Sequence, residues 1–188
     1  YGISKHLAEL EVFRAAEEGL NAFMINPGVV MGAGEPGRSS NALVSVLDRG
    51  LPFCSAGNTG VTGARDVAAQ LVHLLKSASP GERYICVNEN LSYCELCKRI
   101  CGALGKKAPQ RIAPQWLLRL AVAAHWLREK ITGKKAVITS ESVSNTSLDV
   151  QYDSEKLIRT TGIPLSPLNL SINEAVSFHR GVAAGQLN

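Results

Sequence analysis

An α/β fold with a parallel sheet is what this sequence predicts, on three observations. Two continuous apolar runs, residues 20–32 and 82–89, read as buried strands. Stretches of helical periodicity precede, separate and follow them. Strands joined through helices pair in parallel, so residues 20–30 and 83–88 are expected as parallel neighbours in one sheet. Two long strands are too few for a complete doubly wound sheet. The chain also opens without a Met, inside a helical stretch, and so reads as a fragment of a longer protein.

The elements follow in order. Residues 1–18 form a helix, with Leu7, Leu10 and Phe13 at helical spacing and Gly19 as its stop. The first strand, 20–32, is interrupted by Pro27 and Gly28. "GAGEPGRSS" is a loop, and "SNALVSVLDRG" a short helix capped by Ser40 or Asn41 and stopped by Gly50. "LPFCSAG" is a short strand and "ARDVAAQLVHLLKSA" a helix. After the second buried strand, 82–89, the helix of "SYCELCKRICGALGKK" begins at Ser92 with Glu95 three residues on, a capping box. A long apolar helix follows Pro114, a polar segment holds a helix from 154 to 161, and "SINEAVSFHRGVAAG" is the final helix. There is no internal repeat and no low-complexity tract.

Composition narrows the function classes. The 188 residues suit one domain or part of a larger one, and 45% hydrophobic content supports a core. The net charge of +4 is scattered, with Lys106-Lys107 and Lys134-Lys135 the densest groups, and aromatics are only 5%. Neither a nucleic-acid footprint nor a base-stacking platform fits that pattern. The charged, amphipathic N-terminus has no apolar signal region, and the apolar run 116–127 is shorter than the about 20 residues a membrane span needs. Membrane association is not expected. Five cysteines, an odd number, then imply free thiols in a reducing, cytoplasmic setting.

The chain opens "YGISK". On a helix, Tyr1 and Lys5 lie on one face, one turn apart. A free tyrosine, with a pKa of about 10, is a poor acid–base catalyst at neutral pH. A neighbouring ammonium favours the phenolate and lowers that pKa. The pair alone is unspecific. About twenty residues on comes a strand carrying Asn26, Pro27 and Gly28, and then "ARDVAAQLVHLL", with Arg-Asp-Val at a helix start.

This succession resembles the extended short-chain dehydrogenase/reductase family from its Tyr-x-x-x-Lys motif onward. "YGISKHLAELEVFRAAEEGLNAFMINPGVVMGAGE" is similar to the dihydroflavonol-reductase-like branch, close to the NAD-dependent epimerase/dehydratases. The resemblance is strongest over 1–105, weak over 106–150, and returns at "VQYDSEKLIRTTGI". It implies the C-terminal part of a Rossmann-type NAD(P)-binding fold plus a small, mostly helical substrate lobe. Residues 1–35 would be the catalytic helix and a Rossmann strand, and 36–63 a substrate-lobe segment. Residues 64–105 would return to the Rossmann edge, and 106–188 would form the lobe and the last helices.

The implied reaction is hydride transfer between NAD or NADP and a small carbonyl or alcohol substrate. Tyr1 would be the acid–base; Lys5 would bind the nicotinamide ribose and lower the tyrosine pKa. Tyr1, Lys5, Asn26, Pro27, Gly28 and Val29 would line the cofactor, the proline and the bare glycine permitting close backbone approach. Arg38, Ser39 and Asn41, on the loop entering the lobe, are the substrate-contact candidates; an ordinary polar loop is an equal reading of them. A sugar-nucleotide epimerase/dehydratase and a non-catalytic family-like binding subunit are the alternatives, and a homodimer is left open. The family's glycine-rich loop and catalytic Ser/Thr belong upstream of the tyrosine, so the fragment alone is expected to be inactive. The family also places an acid three residues before the Asp of Arg-Asp-Val, where this chain has Gly63.

Two motifs are read as decoys. Gly32-Ala33-Gly34-Glu35-Pro36-Gly37 matches a dinucleotide fingerprint, but Pro36 stands where its helix should run and the next strand ends without an acid. Cys94, Cys97 and Cys101 could begin a zinc or iron–sulfur site. Their spacing is equally one apolar helical stripe, extended by Leu104, and core packing with no metal is the preferred reading. The histidines, His6, His73, His125 and His179, form no ligand pair and are read as structural or exposed.

Overall fold

A computed structural model describes residues 2–114 and 149–185. Helix α1 (Gly2–Glu17) leads into β1 (Met24–Pro27) and β2 (Val29–Met31), then α2 (Asn41–Asp48), β3 (Phe53–Cys54) and β4 (Asn58–Gly63). There follow α3 (Ala64–Ser77), β5 (Arg83–Cys86), β6 (Glu89–Ser92), α4 (Tyr93–Leu104) and β7 (Arg111–Ile112). Helices α5 (Glu155–Thr161) and α6 (Leu168–Ala183) complete the described chain. The long apolar helix expected after Pro114 lies outside the described residues.

The two apolar runs pair as expected. β1 and β5 are parallel, from Met24 opposite Arg83 to Pro27 opposite Cys86. The first run is not one strand, however. Beyond Pro27 the chain changes partner: Gly28 N–H still donates to the Cys86 carbonyl at 3.1 Å, and β2 then pairs in parallel with β4, Val29 opposite Val61. β6 pairs antiparallel on the other side of β4. The result is a β1–β5 pair and a β2–β4–β6 sheet, with a small β3–β7 pair apart from both.

Neither β4 nor β6 is expected from the sequence. β4 reads Asn-Thr-Gly-Val-Thr-Gly, two of its six residues glycine, and both glycines mark close approach rather than a turn. A Cβ at Gly60 would fall 2.6 Å from Val87 Cγ2, and one at Gly63 would fall 2.3 Å from Ser171 Oγ on α6. That second contact explains why no acid stands at position 63: α6 occupies the space a side chain would need. Asp66, at the start of α3, carries that region's polar connections instead. Its carboxylate accepts from Asn88 Nδ2 at 2.6 Å, Ser166 N at 3.1 Å and Ser166 Oγ at 2.8 Å. Asn88 Oδ1 in turn accepts from Thr62 Oγ1 at 2.7 Å.

Two apolar clusters hold the elements. The larger joins Met31, Val61 and Leu91 of the three-stranded sheet to Leu47 of α2, Ile100 of α4 and Ile172 of α6. The smaller gathers Leu74, Tyr84, Cys86 and Leu157 between α3, β5 and α5. Helix α1 contributes to neither. None of its residues is buried, and Ile3, Leu7 and Leu10 are 78%, 56% and 47% exposed.

The cysteine reading is corrected in one respect. Cys97 and Cys101 pack into the core as expected, and burial pushes the Cys97 thiol up to about 11. Cys94, at the head of the same stripe, is bonded to Cys54 across 40 residues of sequence. The expectation that all five thiols are free is therefore wrong; Cys86, Cys97 and Cys101 are free. Periodicity places Cys94 on the helix face but says nothing of β3, which the tertiary fold brings to it. Among the described residues no three His, Cys, Asp or Glu side chains group to hold a metal, and no helix is long and apolar enough to cross a membrane.

Candidate functional site

The C-terminal end of β1 and the turn into β2 lie beside α1. Lys5 and Glu9, one helical turn apart, share the face of α1 that borders this strand end. Across from them stands the start of α2, whose Ser40 caps nothing with its side chain. Ser40 Oγ instead donates to the Val30 carbonyl and pins the loop to β2. Its neighbour Ser39 has a φ of +50°, a left-handed conformation uncommon outside glycine. Between these elements is an open cavity of about 710 Å³, with Lys5, Glu9, Asn26 and Ser39 on its polar walls and Pro27 to Val30 along its floor.

Six of the nine residues singled out from the sequence border this cavity: Lys5, Asn26, Pro27, Gly28, Val29 and Ser39. Tyr1 lies outside the described residues. Arg38 is not brought in; it pairs with Glu35 at 3.0 Å on an exposed stretch of loop. Asn41 is turned to the loop backbone, so close that a Cβ at Gly34 would fall 2.6 Å from its Nδ2.

Gly28 proves to have a reason within the protein itself. A Cβ there would lie 2.3 Å from the Gly60 carbonyl oxygen and 3.1 Å from Val87 Cγ2. The glycine lets β1 cross into β2 over β4.

Sequence reasoning missed Glu9. Its carboxylate accepts from Asn26 Nδ2 at 2.6 Å and pairs with Arg83 Nη1 at 3.2 Å. The Asn26 hydrogen bond above all holds the Glu9 carboxyl below its usual range; desolvation opposes it, and Arg83 adds to the lowering. The signal was present in the spacing, because Tyr1, Lys5 and Glu9 recur every four residues along one helical face. Arg83 could not have been found that way, since it reaches Glu9 only through the β1–β5 pairing.

The donor set fits one end of a dinucleotide. An ammonium, the Ser39 hydroxyl and an apolar strand floor suit a ribose with its hydroxyls and a flat aromatic amide ring.

No family model matches the chain. It is 28% identical, over 189 aligned positions covering 95% of the chain and 54% of the relative, to a Synechocystis sp. protein provisionally named dihydroflavonol 4-reductase. Its structure superposes on a nucleoside-diphosphate-sugar epimerase from Pseudomonas aeruginosa with a TM-score of 0.75 at 22% identity, over 98% of this chain and 55% of that one. A double mutant of a dTDP-glucose 4,6-dehydratase from Streptomyces venezuelae, solved with NAD bound, superposes with a TM-score of 0.68 at 17% identity, over 98% and 52%. The chain thus spans about half the length of the proteins it matches. Its fold is the Rossmann-type α/β fold of these epimerase and dehydratase chains, and its sequence is similar to that of a protein provisionally named as a reductase.

Proposed function

We propose that this chain supplies the catalytic-helix half of an NAD(P)-dependent oxidoreductase site of the extended short-chain dehydrogenase/reductase type, acting on a small carbonyl or alcohol substrate. One observation supports it above the others: Lys5 of α1, the strand end Asn26–Val29 and the start of α2 border a single cavity. The proposed division keeps 1–35 and 64–105 with the cofactor, and 36–63 and 106–188 with the substrate.

The bound cofactor supplies hydride exchange at its nicotinamide ring. Tyr1 gives or takes the proton at its phenol oxygen as the substrate oxygen gains or loses charge. Lys5 holds the ribose hydroxyls and, four residues after Tyr1 in sequence, favours the phenolate. Glu9 keeps the Asn26 amide and the Arg83 guanidinium in place at the strand end. Val29 provides apolar floor, and Ser39 faces the substrate side. An epimerase or dehydratase would use the same tyrosine chemistry through transient oxidation, and the similarity in sequence to the provisionally named reductase favours the simple reductase.

The test uses the full-length protein. Tyr1→Phe removes only the transferable proton, so turnover should fall by at least ~10²-fold while cofactor affinity stays nearly intact. Lys5→Ala should weaken both. Undiminished turnover in Tyr1→Phe, with titration of the cofactor as the binding control, would overturn the role given to Tyr1.

A further inference from the structure

The Cys54–Cys94 bond lies away from the cavity just described, and its two sulfurs are placed differently. Cys54, on β3, is 3% exposed. Cys94 is half-buried in the first turn of α4, behind the cap Ser92, and borders a separate cavity of about 650 Å³. Lys98 and Lys107 stand on that cavity's rim, with Glu95 as the opposing charge. Glu95 is already engaged by Lys98 at 3.6 Å and by Arg99 at 3.3 Å, so the rim is net cationic.

We propose that the Cys54–Cys94 bond is an exchangeable link, and that Cys94 is the sulfur at which a small anionic thiol of the glutathione class enters. Access selects Cys94, since Cys54 is walled off. Cys94 also stands in the first turn of α4, at the positive end of that helix's dipole, which attracts an incoming thiolate. Both sulfurs also have a carbonyl acceptor waiting once they carry protons: Arg111 O lies 3.5 Å from Cys54 Sγ, and Ser55 O lies 3.7 Å from Cys94 Sγ. Cys97, at the far end of Cys-x-x-Cys, is buried with a raised pKa and does not compete.

The step balances without another reactant. The incoming thiolate bonds to Cys94 Sγ, and the electron pair of the broken S–S bond goes to Cys54 Sγ, which takes a proton from water. A second thiolate attacks the sulfur of the first and releases the symmetric disulfide. Cys94 leaves as thiolate. Two small thiols are oxidised and one protein disulfide is reduced.

The experiment treats oxidised full-length protein with reduced glutathione, quenches with acid and maps the adducts by peptide mass. The expected result is glutathione on Cys94 and a free thiol at Cys54. In a Lys98→Gln, Lys107→Gln variant the glutathione rate should fall several-fold while the rate with uncharged β-mercaptoethanol holds. A Cys54→Ser variant should take glutathione at Cys94 from oxidised glutathione, and the reduced wild type should melt ~5 °C lower. A bond that resists glutathione until the protein is denatured, or an adduct on Cys54 or Cys97, overturns the proposal. Equal slowing of both thiols by the lysine changes, or no slowing of either, overturns its choice of an anionic thiol.

Discussion

Gly28 shows how a single residue can suggest one role from sequence and acquire another in space. Beside a proline at a strand end, a glycine invites the reading that a ligand approaches the backbone. In the folded chain the Gly60 carbonyl already fills that space, 2.3 Å from where a Cβ would sit. Gly28→Ala should therefore destabilise the protein with no cofactor present, by about 2–3 kcal/mol, since backbone has to move to admit the methyl group. Denaturant unfolding of the cofactor-free protein measures this, and an unchanged midpoint would return the glycine to the ligand. Glu9 is the opposite case: unremarked in the sequence, it gathers Asn26 and Arg83 at the strand end.

At the scale of elements, α2 is the piece whose fixing matters to the cavity, because its start forms one wall. Its far end is tied down by Asp48, which pairs with Lys106 beyond α4 at 2.7 Å and with His179 of α6 at 3.2 Å. Hydrogen bonding to Lys106, then to His179, holds the Asp48 carboxyl below its ordinary value of 3.8, against desolvation. A carboxylate with a depressed folded-state pKa stabilises the fold fully above the unfolded value and loses that contribution as the pH falls through the folded one. Asp48→Asn should thus cost stability at neutral pH and flatten the loss of stability below about pH 4, as read from urea midpoints across pH. The wild-type slope persisting in the variant would assign the acid sensitivity elsewhere. Helix α4 teaches a related lesson. Its cap at Ser92 is legible, and Ser92 Oγ does accept from Glu95 N at 3.1 Å, yet the Glu95 carboxylate turns to Lys98 and Arg99.

Across the whole molecule, burial is uneven. Helices α2, α4 and α6 share one apolar cluster with the three-stranded sheet, whereas no residue of α1 is fully buried. Amide exchange in the 188-residue chain should be slowest in β4 and α4 and fastest in α1, by orders of magnitude, because opening α1 exposes no core. Equal protection of α1 and α4 would contradict that picture. The order of helices, the parallel pairing of the two apolar runs and the gathering of Lys5 with 26–29 were legible from the sequence alone. The helices and the parallel pairing are written in local periodicity and in runs of apolar residues, whereas the gathering of Lys5 with 26–29 was expected only through the resemblance carried by Tyr1, Lys5 and the proline strand. The tertiary structure decided the rest. It split the first run at Pro27 between two sheets and made a strand of the glycine-rich segment 58–63. It barred a side chain at Gly63, joined Cys94 to Cys54, and brought Arg83 to Glu9. The physical reason is common to all of these: periodicity reports which face of an element is apolar, but the partner across that face comes from distant chain, and only the packed fold names it.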